Sequence, residues 1–214
     1  MVKAVLFDLD GTFADTAPDL ARALNTMRAT RGLAPIPAEA TRPVTSMGGR
    51  GMLGVGFSMT PEHADYQAMR TEFLDLYARN LCVETRVFDG MHELLDGIEA
   101  RGLKWGIVTN KAERYAKPLI ELLELAHRCA CIVGGDTTPH LKPHPAPLLA
   151  AARLLDMDPA AAVYVGDDRR DIEAGRAAGM RTIAVRYGYL NGGVPDTWGA
   201  DAVVDCPQDI LAHL

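Results

Sequence analysis

Short apolar runs that stop at small or acidic residues recur along this chain, and stretches of helical spacing separate most of them. VKAVLFDLD at 2–10, LKWGIVTN at 103–110, ACIVGGD at 130–136 and AAVYVGDD at 161–168 are followed by TIAVRYG from Thr182 and ADAVVD from Ala200. Continuously apolar strands fit burial on both faces, and their alternation with helices fits a parallel sheet covered on each side. MHELLDGIEARG supports the helical half of the pattern: Leu94, Leu95 and Ile98 share a face, and Gly102 offers a C-terminal stop. APLLAAARLLD and DIEAGRAAG read the same way. The expectation is an α/β fold with a doubly wound, Rossmann-like parallel sheet.

Residues 16–83 interrupt the alternation. TAPDLARALNTMRATRG has Leu20, Ala23, Leu24 and Met27 in helical register, with Thr16 as the expected N-cap and Gly32 as the end. PEHADYQAMRTEFLDLYARN carries a second stripe of Tyr66, Met69, Phe73, Leu76 and Tyr77. Between them, APIPAEATRPVTSMGGRGMLGVGF is rich in Pro and Gly, and SMGGRGML reads as a Gly-rich bend. The division expected is an α/β core over 1–15 and 84–214, with a helical cap inserted at 16–83.

A net charge of -6, from 22 basic and 28 acidic residues, argues against broad nucleic-acid binding, which depends on Lys and Arg neutralising phosphates. Neither a signal peptide nor an apolar stretch of membrane-spanning length is visible, so no membrane association and a cytoplasmic location are expected. Cys82, Cys129, Cys131 and Cys206 lack zinc-type spacing with His and read as reduced thiols. His140 and His144 flank Lys142 without a third ligand, so HLKPHP reads as a loop that fixes the lysine.

Polar residues punctuate the strand ends: Asp8 and Asp10, Thr109 and Asn110, Lys142 soon after the third strand, and Asp167. Open α/β sheets bind ligands in the crevice beyond the carboxyl ends of their strands, so these segments are expected to converge. Carboxylates buried there need a cation or hydrogen-bonding partners to offset their desolvation.

DLDGT, a strand-end Thr, Lys followed by Pro, and Gly-Asp with a further Asp four residues on together resemble the four motifs of the haloacid dehalogenase-like hydrolases. DTAPD, FDGM, VTNK, KPHP, VGDDRRDIEAGRAAGM, YGY and WGAD resemble the phosphoglycolate phosphatase branch, close to its N-acetylmuramate 6-phosphate phosphatases. The resemblance implies a Mg²⁺-dependent phosphatase of a small phosphorylated metabolite. Asp8 would be the nucleophile forming an aspartyl-phosphate, and Asp10 the general acid and base. Asp8, the Asp10 backbone carbonyl and Asp167 would hold the metal. Lys142, Thr109, Asn110, Gly11 and Thr12 would face the phosphate, and Asp171 would orient ligands or Lys142 from behind. The role of Asp168 is open. Arg50, the one cation of the Gly-rich bend, is a candidate for a substrate carboxylate. Hydrolysis of 2-phosphoglycolate, hydrolysis of N-acetylmuramate 6-phosphate in cell-wall recycling, a sugar phosphomutase and a non-catalytic binding protein remain as alternatives. The resemblance disfavours a dehalogenase, because relatives with that activity lack the second aspartate.

Overall fold

The computed structural model describes all residues, 1–214. Its main sheet has six parallel strands: β1 (Ala4–Phe7), β4 (Lys104–Val108), β5 (Ile132–Val133), β6 (Ala162–Gly166), β7 (Arg181–Val185) and β8 (Ala202–Val204). They lie in the order β5-β4-β1-β6-β7-β8. The winding therefore reverses at β1, where Val5 is in register with Trp105 on one side and Val163 on the other. That reversal opens a crevice at the carboxyl end of β1, where ligands bind in such sheets.

Alternation along β1 divides the core. Val5 and Phe7 pack with α5 (Met91–Ala100) and α6 (Glu113–Leu122) on one face. Ala4 and Leu6 pack with α7 (Ala146–Leu154) and α8 (Arg169–Ala177) on the other. All four residues are fully buried, as a strand covered on both sides requires. This is the doubly wound arrangement expected from the uninterrupted apolar runs.

Between β1 and α5 the chain leaves and returns through a two-stranded antiparallel ribbon, β2 (Ala14–Asp15) with β3 (Arg86–Val87). It carries α1 (Ala17–Ala29), the short α2 (Ala38–Thr41), a 3-10 segment at Arg42–Met47, α3 (Gly48–Phe57) and α4 (Tyr66–Arg79). The Asp19 side chain, on the first turn of α1, clamps the return. Its carboxylate accepts from the amides of Val83, Glu84 and Thr85 at 3.0, 3.1 and 2.9 Å and from the Thr85 hydroxyl at 2.7 Å. Phe13, just before the ribbon, stacks on Trp105 at 5.3 Å. It joins the apolar stripes of α1, α3 and α4 to the sheet in one continuous cluster.

Two local expectations need correction. The segment read as a Gly-rich bend is α3, a helix despite five glycines in ten residues. Glycine disfavours helix by about 1 kcal/mol per residue relative to Ala, so tertiary contact must compensate. A Cβ on Gly56 would run into Leu24 of α1, and one on Gly51 into the Val44 carbonyl, so absent side chains let this helix sit close to its neighbours. Thr16 precedes α1 but its side chain makes no cap hydrogen bond. The hydroxyl donates to Asp10 at 2.5 Å, and Tyr189 instead receives the Thr16 and Ala17 amides on its phenolic oxygen, at 2.7 and 2.9 Å. The four cysteines are free, and no helix is long and apolar enough to cross a membrane.

Candidate active site

At the carboxyl end of β1, Asp8 still donates its amide to Val165 of β6, which fixes its direction at the mouth of the crevice. Gly11 then turns the chain with φ +88°. A Cβ there would overlap Asp167 Oδ2 and come within 2.7 Å of the Tyr189 ring, so only glycine lets the turn approach the Asp167 carboxylate. Asp167, immediately after β6, accepts from the Thr12 hydroxyl and the Tyr189 amide, each at 2.8 Å.

The carboxylates of Asp8, Asp167 and Asp171 converge, with one oxygen from each lying within 4.8 Å of the others. One ammonium faces them. Lys142 Nζ stands 2.8 Å from Asp8 Oδ1 and 2.7 Å from Asp171 Oδ1, and also donates to the Tyr164 hydroxyl at 2.7 Å and the Val108 carbonyl at 3.1 Å. Its side chain is only 2% exposed. Asn110 braces that lysine from the end of β4, its Oδ1 accepting the Lys142 amide at 2.9 Å and its Nδ2 donating to the Lys142 carbonyl at 3.1 Å. Thr109 is buried beside it.

Three carboxylates against one ammonium leave an excess of negative charge. Burial pushes the Asp167 carboxyl well above the ordinary carboxylate range, and the charges of Asp8 and Asp171 push the same way. Burial also carries Asp171 up to about 6, with Lys142 pulling against it. Lys142 is held above its usual value because Asp171 and Asp8 outweigh its own desolvation. Asp8 Oδ1 is buried, and the cation it faces is the Lys142 ammonium at 2.8 Å. An all-oxygen cluster with surplus negative charge suits a hard divalent cation. Asp8, Asp167 and Asp171 are the side chains able to hold one.

The remaining expected site residues divide. Asp168 turns aside as the N-cap of α8, accepting from the Arg170 amide at 2.9 Å and pairing with the Arg170 guanidinium, while Asp171 Oδ2 closes the capping box on the Asp168 amide. The Asp10 carboxylate lies outside the three-carboxylate group. It is gripped by Thr16 and by Lys111, whose Nζ is 2.7 Å from Oδ1 and 2.9 Å from Oδ2. The Asp10 carbonyl is met by the Ser46 hydroxyl at 3.4 Å, and Arg170 donates to the Ser46 carbonyl at 3.3 Å. Lys111 was not singled out from the sequence, although it stands in VTNK directly after two expected site residues.

Asp8, Asp10, Thr109, Asn110, Lys111 and Lys142 all open onto one cleft of about 490 Å³. The inserted helices form its far wall, through Met47 to Arg50, Tyr66, Arg70, Phe73 and Tyr77. Arg50 thus lies across the cleft from the strand ends, on an exposed position of α3.

This geometry has counterparts. The family model for haloacid dehalogenase-like hydrolases matches residues 5–185. The N-acetylmuramic acid 6-phosphate phosphatase of Pseudomonas putida is 47% identical over 210 residues, covering 98% of this chain and 94% of that one. A phosphoglycolate phosphatase of Xanthomonas campestris pv. campestris is 44% identical over 97% of this chain and 94% of its own length. The crystal structure of a predicted phosphoglycolate phosphatase from Haemophilus somnus 129PT superposes with a TM-score of 0.86 at 26% identity, covering 99% of this chain and 97% of that one. With its motif residues gathered at the reversal point of the sheet and relatives matching nearly end to end, this chain belongs to the haloacid dehalogenase-like hydrolase family.

Proposed function

We propose that the protein is a Mg²⁺-dependent phosphatase of a small phosphorylated metabolite that also carries a carboxylate. The observation carrying this reading is the pairing of a carboxylate cluster with a buried ammonium at the end of β1, a site fitted both to a divalent cation and to a phosphate dianion. Hydrolysis of phosphate monoesters needs charge neutralised and atoms aligned more than elaborate covalent chemistry.

In this reading Asp8 attacks phosphorus and forms an aspartyl-phosphate as the ester P–O bond breaks. Asp10 gives a proton to the departing oxygen. It later takes one from the water that releases phosphate and restores Asp8. Lys142 and the Thr109 hydroxyl bind the phosphoryl oxygens, and the amides of Asn110, Gly11 and Thr12 complete the cradle. Asp8 and Asp167, with the Asp10 carbonyl, would hold Mg²⁺, which when bound would supply positive charge against the phosphate. Asp171 orients Lys142. Residues 16–83 act as a cap that shields the reaction from water, on a protein working in the cytoplasm.

N-acetylmuramic acid 6-phosphate is the first candidate substrate. Relatives from two Pseudomonas species bear that activity in their names, at 47% and 44% identity. A cleft of about 490 Å³ with Tyr66, Phe73 and Tyr77 on its wall offers room and apolar surface for a sugar ring. 2-Phosphoglycolate is the second, supported by relatives of that name at 44–45% identity. Arg50 would meet the carboxylate that both substrates possess.

Phosphate release from both compounds and from p-nitrophenyl phosphate, with Mg²⁺ and with chelator, tests the reading. Asp8→Asn and chelator should each abolish turnover of all three. Arg50→Ala should cut kcat/KM for the carboxylate substrate by about 10- to 100-fold, the scale of one or two charge-assisted hydrogen bonds, and leave p-nitrophenyl phosphate nearly untouched. Full activity of Asp8→Asn would overturn the mechanism. Equal losses on all substrates in Arg50→Ala would overturn its role in specificity.

A further inference from the structure

Lys111 presents two N–H groups to the two oxygens of a single carboxylate, Asp10, at 2.7 and 2.9 Å. This two-point grip fixes the plane of the carboxylate as well as its position. The Thr16 hydroxyl holds Oδ1 from the opposite stretch of chain at 2.5 Å, so Asp10 has little freedom to turn. Lys111 is itself confined. Its side chain is 8% exposed, and its ammonium lies 4.9 Å from the ring centroid of Tyr77, on α4. The Tyr77 ring is 2% exposed and packs at 5.9 Å against Tyr115 of α6.

The three side chains come from separate parts of the fold: Asp10 from the end of β1, Lys111 from the end of β4 and Tyr77 from an inserted helix. An ammonium against an aromatic face gains most where water is scarce, and it is Tyr77 of α4 that supplies the face here. We propose that Lys111 is the positioning residue for Asp10, and that Tyr77 makes that positioning depend on α4 being seated over the site. This rests on the assignment of Asp10 as the group that moves the proton. The proton passes from Asp10 to the ester oxygen as the P–O bond breaks, and returns to Asp10 from water in the second half. Lys111 stays charged throughout and exchanges nothing. Its contribution is to hold an Asp10 oxygen within hydrogen-bond reach of both oxygens in turn.

The test is a double-mutant cycle on the Mg²⁺-loaded full chain, with kcat and KM measured on N-acetylmuramic acid 6-phosphate and on 2-phosphoglycolate, whose alkoxide leaving groups need a proton. Lys111→Met should lower kcat by about 10- to 100-fold, the scale of a misplaced reacting group, with KM nearly constant. In an Asp10→Asn background the same change should cost almost nothing more, because a residue acting through Asp10 has nothing left to aim. Lys111→Arg should recover part of the loss. Tyr77→Leu should lower kcat by a smaller factor, and Lys111→Met should add little to it. Losses that multiply in the Asp10→Asn background, or a Lys111→Met effect confined to KM, would overturn the inference. Should Lys111→Met fail to fold, Tyr77→Leu with Asp10→Asn forms the same cycle. Undiminished turnover by Asp10→Asn alone would instead refute the assignment of Asp10.

Discussion

Replacing Lys142 by Met removes the one cation of the buried cluster while keeping a side chain of similar length. With an effective dielectric near 20, each of its contacts, 2.8 Å to Asp8 and 2.7 Å to Asp171, has a gross attraction of about 6 kcal/mol. Desolvation of the ions consumes most of that, and removing one partner of a buried pair costs about 3–5 kcal/mol in practice. In chelator, urea unfolding of Lys142→Met should therefore shift to a midpoint lower by about 2 M, for a slope near 2 kcal/mol per M. Saturating Mg²⁺ should recover much of this loss, since a divalent cation among Asp8, Asp167 and Asp171 compensates the same excess charge. The variant should bind Mg²⁺ more tightly than the parent, yet hydrolyse phosphate esters far more slowly for want of a phosphate partner. An equal loss of stability with and without Mg²⁺ would refute the view that lysine and metal neutralise a common cluster. So would a loss below about 1 kcal/mol in chelator, the range of an exposed ion pair.

Two further outcomes follow from buried carboxylates. Burial raises Asp167 and Asp171 in the folded protein, so between the unfolded value near 4 and the raised values the folded state binds more protons. Stability of the metal-free protein should then decline as pH climbs from 4 past 6, and Mg²⁺ should flatten the decline, as thermal unfolding across that range would show; the same slope with and without metal would refute it. Asp19→Ala orphans the amides of Val83, Glu84 and Thr85 and should cost about 3 kcal/mol in urea unfolding. The Asp19 carboxyl lies below its usual range because the Thr85 hydroxyl, with the Thr85 and Glu84 amides, outweighs burial; its contribution should therefore be present near neutrality and vanish as pH falls below about 4.

The order of polar residues at strand ends made the sheet and the convergence of Asp8, Lys142 and Asp167 legible before any coordinates, because apolar runs and strand-end positions are local properties of the chain. What escaped was non-local. Lys111 and Asp10 are 101 residues apart, and Asp19 and Thr85 are 66 apart, so neither pairing leaves a spacing signature. Thr16 has the composition of an N-cap, but a buried carboxylate six residues earlier competes successfully for its hydroxyl. For α3 the intrinsic preference of glycine pointed the wrong way. The close approach of Leu24 to Gly56, invisible in either segment alone, outweighs that preference.

The outermost strands of the main sheet, β5 and β8, have two and three residues. Strands this short offer an approaching chain few free amides and carbonyls, and brief edges are one way proteins avoid joining sheet to sheet. If copies of this molecule associate, the contact is expected on helix faces and loops, leaving each six-stranded sheet to end within its own chain.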